Sequence, residues 1–120
     1  MARILYVVTA GTDDPTRAAL PFNFALGALE AAHQPEIFLT GEGVYLLKED
    51  VAGSVVPVGP PPLREMLEKL VAQRVPVYAC GRCCVARGLT DADLKALNAQ
   101  FITPKVFAER VAAADKVVSL

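Results

Sequence analysis

The chain has 120 residues, 53% of them apolar and 21% charged, with 12 Lys plus Arg against 13 Asp plus Glu. That near-neutral balance, without a run of like charge, excludes the electrostatic footprint of a nucleic-acid binder or of a protein held on an anionic membrane. The apolar excess excludes a disordered chain and points to strands buried on both faces, to oligomer contacts, or to both.

The length fits one domain, residues 1–120, which buries roughly two-thirds of the surface of its unfolded form. The first apolar run, residues 4–10, is too short to span a membrane, and cleaving it as a signal would delete what reads as the first strand. The expectation is a cytoplasmic protein whose partners are small molecules or proteins, with neither nucleic acid nor membrane among them.

"ARILYVVT" (2–9) is a continuous β-favouring run ending at "AGTDD", the pattern of a buried parallel strand followed by a turn. Asp14 before Pro15 then gives an N-cap with proline at the first helical position, and Ala18, Phe22, Ala25, Leu26 and Leu29 recur at helical spacing. Pro21 removes a backbone donor inside this helix and predicts a kink or a split. His33, the sole histidine, falls at the helix end as a cap or surface residue.

"PEIFLT" (35–40) reads as the second strand, stopped by "GEG". Residues 44–53 predict one or two helical turns whose four leading apolar residues, 44–47, are hard to bury in so small a domain without a neighbouring subunit. Residues 54–62 form a proline-rich connector with a short extended piece at Val55 and Val56. Leu63, Met66, Leu67, Leu70 and Val71 then make the core stripe of a second long helix.

"VPVYAC" (75–80) is the third strand, followed by a short helix over 81–87 that Gly88 terminates in the left-handed conformation. Thr90 and Asp93 form a capping box opening a helix over 91–98 with Leu94 and Leu97 inward. "QFITP" (100–104) is a fourth strand, a helix runs over 104–113, and "KVVSL" closes the chain as a fifth. This alternation predicts a three-layer α/β/α domain around a mainly parallel five-stranded sheet.

Ligands of such sheets sit outside the carboxyl ends of the strands. The small and polar residues cluster there: Gly11 and Thr12 after the first strand, Gly41, Glu42 and Gly43 after the second, and Gly81, Arg82 and Arg87 around the cysteines after the third. Asp13 and Asp14 read as helix caps, and Glu42 either orients a bound group or is a solvated turn residue. "AGTDD" lacks the glycine spacing of a phosphate or dinucleotide loop, so no cofactor is expected.

All three cysteines lie within five positions of "YACGRCCVARGL" (78–89). Cys80 stands at a helix start, where unpaired backbone N–H groups and nearby arginines favour a thiolate, the form needed for persulfide formation, disulfide exchange or metal binding. Cys83 lies one turn on, within reach of Cys80, and Cys84 points away as small buried packing. Cys80 and Cys83 are therefore the candidate reactive pair.

This pattern resembles the DsrE/DsrF-like family of small sulfur-relay proteins, whose motif is a strand ending in cysteine with a glycine eight residues later within an arginine–glycine pair, here Cys80, Arg87 and Gly88. "VVTAGTDDPTRAALPFNFALGALEA", "TGEGVYLL" and "AADKVVSL" resemble the family's first strand, loop and helix, its glycine–valine motif, and its last strand. The resemblance implies an α/β/α domain assembling as a homotrimer or homohexamer, with Cys80 carrying persulfide sulfur between donor and acceptor proteins. The family's DsrE motif has one cysteine followed by small apolar residues, whereas Gly81, Arg82, Cys83 and Cys84 stand here.

Two other classes fit the residues. "CGRC" also resembles the thioredoxin-type motif of a thiol–disulfide oxidoreductase, although it follows the third strand. Three cysteines and a histidine could also serve a metal-binding or structural oligomer, although a closed zinc site usually shows two separated ligand pairs.

Overall fold

Five short apolar segments pair as strands: β1 (Arg3–Val8), β2 (Gln34–Leu39), β3 (Val77–Cys80), β4 (Gln100–Ile102) and β5 (Lys116–Ser119). The computed structural model describes all residues 1–120. Every pairing is parallel and the order across the sheet is β4-β3-β2-β1-β5. Leu5, Val8, Ile37, Leu39 and Ala79 are completely buried, as strands covered on both faces require.

One face carries α1 (Pro15–Glu30), α2 (Glu49–Ser54) and α3 (Leu63–Ala72), which enclose the larger core around Phe22, Leu46, Met66 and Leu70. The short α4 (Gly81–Ala86) follows β3 directly. The other face is covered by α5 (Pro104–Ala113), whose Val106, Phe107 and Val111 pack on Leu5, Val7, Phe38 and Ile102. The first four strands step outward from β1, and α5 then crosses the back of the sheet to set β5 beside β1.

The helix starts follow the local chemistry. The Asp14 carboxylate accepts from Arg17 N at 3.1 Å and Thr103 Oγ1 from Val106 N at 3.3 Å, each cap preceding a proline at the first helical position. Asp13, also read as a cap, instead accepts from Gly11 N at 2.7 Å and closes the loop before the helix. Gly88 takes φ +74 just beyond α4, the left-handed stop expected of it.

Several expectations need correction. α1 runs unbroken through Pro21, whose ring is fully buried; one lost backbone bond is outweighed by the packing of Ala18, Ala19, Phe22 and Ala25 around it. Of the helical turns expected over 44–53, residues up to Leu47 belong to a 3₁₀ turn that starts at Gly41, and α2 supplies the rest; residues 91–97 also wind as 3₁₀, and Val55 is extended without joining the sheet. The capping box of Thr90 and Asp93 is present, with Asn98 left-handed at the end of its turn.

The largest correction concerns residues 44–47. Val44, Leu46 and Leu47 are at most 1% exposed within the single chain, so they need no neighbouring subunit. The tighter 3₁₀ winding turns them under the sheet's end. His33 is also not a helix cap: its Nδ1 accepts from Ala2 N at 2.8 Å, tying the end of α1 to the start of β1.

A buried ion cluster escaped the sequence reading. Glu36, 5% exposed on β2, accepts from Arg110 of α5 at 3.0 and 3.2 Å and pairs with Arg3 at 3.4 Å. The Arg110 guanidinium also lies 5.3 Å above the Tyr78 ring. The cluster pins α5 to the sheet away from the cysteines.

Candidate active site

Three loops meet at the carboxyl ends of β1, β2 and β3, and glycine lets them meet. A Cβ on Gly43 would strike the Val8 carbonyl, and one on Gly11 would lie 2.6 Å from the Glu42 carbonyl oxygen. Gly41 adopts φ +54, a conformation costly for residues with side chains. The turn 41–47 thereby lies flat against the sheet's end, with the Gly41 N–H turned toward α4.

That N–H donates to Cys83 Sγ at 3.4 Å, and Thr40 Oγ1 lies 3.6 Å from the same sulfur. Arg87 donates through Nη1 to the Cys83 carbonyl at 3.3 Å and through Nη2 to Glu42 Oε1 at 2.9 Å, with its guanidinium 5.7 Å above the Tyr45 ring. Burial pushes the Cys83 thiol up, but the Gly41 N–H, the Thr40 hydroxyl, the adjacent Cys80 thiol and the Arg87 charge outweigh it. The thiol therefore ionises below its ordinary range.

Cys80 ends β3 and is the N-cap of α4, where it makes no side-chain capping bond. It is half-buried and looks to the α5 face, packing with Leu5, Val7, Phe38 and Ile102, while Cys83 packs with the larger core on the opposite face. Beside Cys80 opens a cavity of about 300 Å³ lined by Val7, Phe38, Ile102, Pro104 and Phe107 with Thr40 and Thr103. The Phe38 and Phe107 rings stand 4.5 Å apart there.

Cys84 is completely buried, and burial, with the neighbouring Cys80 and Cys83, pushes its thiol from 9.0 up to about 11. It is packing, as its place in the motif implied. Gly11, Gly41, Glu42, Gly43, Gly81, Arg87, Cys80 and Cys83 thus come together at one end of the sheet. Thr12 and Arg82 are exposed, and neither is a hydrogen-bond or ion partner of Cys83, Glu42 or Arg87.

Sequence reasoning missed Thr40, Tyr45 and the walls of the Cys80 cavity. "TGEG" carried a signal for Thr40, but Phe107 and Pro104 reach the site only because α5 crosses the back of the sheet. No three His, Cys, Asp or Glu side chains are grouped to hold a metal ion. No helix is long and apolar enough to cross a membrane. Another cavity, about 330 Å³ between α2, α3 and residues 91–97, holds no cysteine.

The backbone is similar to that of solved proteins. The ychN protein from E. coli superimposes with a TM-score of 0.78 at 24% identity, covering 100% of both chains. A protein of unknown function from Methanobacterium thermoautotrophicum does so with a TM-score of 0.71 at 15% identity, again over 100% of both. These likenesses establish the fold.

Sequence relatives are closer in identity. An uncharacterized protein of Methanopyrus kandleri is 36% identical over 90 residues, 75% of this chain and 71% of that protein. One from Methanocaldococcus jannaschii is 35% identical over 88 residues, 73% of this chain and 74% of the relative. The model of the DsrE/DsrF-like family matches residues 2–120, through the cysteine strand, the glycine turn and the closing strand alike, and the chain belongs to that family.

Proposed function

We propose that the protein accepts and passes on persulfide sulfur, with Cys80 as the carrier and Cys83 as its working partner. Family membership supports a sulfur-relay-related role, and the observation that carries the finer reading is the set of donors around Cys83 beside a second accessible thiol. The Cys80 thiolate attacks the outer sulfur of a donor R–S–SH. A Cys80–S bond forms, the donor S–S bond breaks, and the leaving thiolate takes the proton. An acceptor thiolate then removes the outer sulfur by the same exchange, so no oxidant is consumed.

Donor and acceptor are proteins in this reading, the setting is the cytoplasm, and the carrier works as a homotrimer or homohexamer. Intact-protein mass spectrometry after exposure to a persulfide donor tests the assignment. The parent gains sulfur and the Cys80→Ser protein does not; equal uptake by both sinks the role of Cys80. A thiol–disulfide exchange reading is favoured by the lowered Cys83 thiol next to Cys80, and insulin reduction that needs both cysteines would put it first.

A further inference from the structure

The two candidate thiols stand in chemically different compartments. Cys80 opens into the cavity of about 300 Å³, walled by Val7, Phe38, Ile102, Pro104 and Phe107, with no charged side chain in its lining. Cys83 lies on the other side of the sheet's end, where its sulfur takes the Gly41 N–H and lies near the Thr40 hydroxyl, with the Arg87 guanidinium on the same turn. Thr40 touches both compartments, its hydroxyl near Cys83 and its side lining the Cys80 cavity.

We propose, resting on the relay reading above, that sulfur enters at Cys80 from a persulfide carried on an uncharged apolar group seated in the cavity, and then moves within the chain to Cys83. A cavity of this size and lining receives an apolar group well and leaves a charged one without a partner. The internal step is an exchange: the Cys83 thiolate attacks the outer sulfur of Cys80–S–SH, the Cys83–S–S bond forms and the Cys80–S–S bond breaks. Cys80 leaves as a thiolate and takes the persulfide proton, giving a neutral thiol at Cys80 and a persulfide anion at Cys83.

The direction follows from charge. A hydropersulfide is a stronger acid than a thiol, so the transferred sulfur settles as an anion on Cys83, whose sulfur has the Gly41 N–H and the Thr40 hydroxyl beside it and the Arg87 charge nearby. Entry and exit then use opposite faces, so a donor at the α5 face and an acceptor beside the Glu42–Arg87 pair need not exclude one another.

The experiment loads the parent, Cys80→Ser and Cys83→Ser proteins with benzyl persulfide, with glutathione persulfide, and with a persulfidated cysteine peptide flanked by leucines. Peptide mapping is expected to find the sulfur on Cys83 in the parent and on Cys80 in Cys83→Ser. Benzyl persulfide or the leucine peptide loads the parent about tenfold faster than glutathione persulfide, the discrimination expected for burying a small apolar group, and the faster of the two names the physiological kind of donor. Sulfur that stays on Cys80 in the parent overturns the internal transfer and leaves the relay standing. Equal rates from all three donors overturn the cavity's role. No sulfur on any of the three proteins overturns the relay reading itself.

Discussion

Three neighbouring cysteines have three different environments, and titration separates them. Cys83 ionises below its ordinary range, so at neutral pH it is alkylated by iodoacetamide ahead of Cys84, which is completely buried and reacts only after unfolding. The stability consequences have opposite signs. The depressed Cys83 value contributes stability present above its unfolded value of 9.0 and lost as the pH falls through the folded value. The raised Cys84 value contributes stability present below 9.0 and lost as the pH rises toward about 11. The denaturation midpoint should therefore decline across that alkaline window, and Cys84→Ala should flatten the decline while costing about 1 kcal/mol at neutral pH through a small cavity. A Cys84→Ala protein with the parent's alkaline decline would show that another group is responsible.

Gly43 has an equally local consequence. The obstacle to a Cβ there is the Val8 backbone, which cannot swing aside as a side chain can, so Gly43→Ala must lift the turn 41–47. The expected cost is about 1–3 kcal/mol in urea denaturation. Because the Gly41 N–H moves with the turn, the pH midpoint of Cys83 alkylation should rise at the same time. A variant that loses stability but keeps that midpoint would uncouple the turn from the thiol.

Among the elements, α5 depends most on a single polar contact. It has no fully buried residue of its own, and Arg110 holds it to Glu36 beneath. Arg110→Ala leaves a carboxylate 5% exposed with only Arg3 at 3.4 Å, a loss of about 3 kcal/mol. Replacing Glu36 and Arg110 together by leucine should recover most of it, since an apolar pair leaves no charge buried alone. A double variant as unstable as the single one would place the loss in packing.

The elements also show what could be read from the chain and what could not. Strands with continuous apolar runs, the Asp14–Pro15 and Thr103–Pro104 helix starts, the Gly88 stop and the burial of Cys84 are local signals, and each stands in the structure. Pro21 and residues 44–47 were misjudged because the packing that shelters them comes from distant parts of the chain. The Cys80 cavity draws walls from β1, β2, β4 and α5. Its existence depends on the lateral order of strands, which no spacing along the chain encodes.

For the whole molecule, the proposed assembly no longer rests on residues 44–47. What supports it now is the 45% exposure of Val117 on the edge strand β5. Light scattering on the eluting protein should give three or six times the chain mass of 12.8 kDa. A single-chain mass at micromolar concentration would remove the oligomer from the proposed function without touching the thiol chemistry.

The crossing of α5 also dictates an order of events. β1 acquires its β2 neighbour early, but its other edge waits for β5, and the bond from Arg3 N to the Asp115 carboxylate spans 112 positions. Such distant pairing is slow to form because the intervening chain must first be organised. On a ribosome, the emerging chain therefore presents an unpaired apolar strand edge until β5 emerges, the kind of edge that recruits other strands. The segment most in need of shielding during biogenesis is β1, whose second partner, β5, follows all the other strands of the sheet.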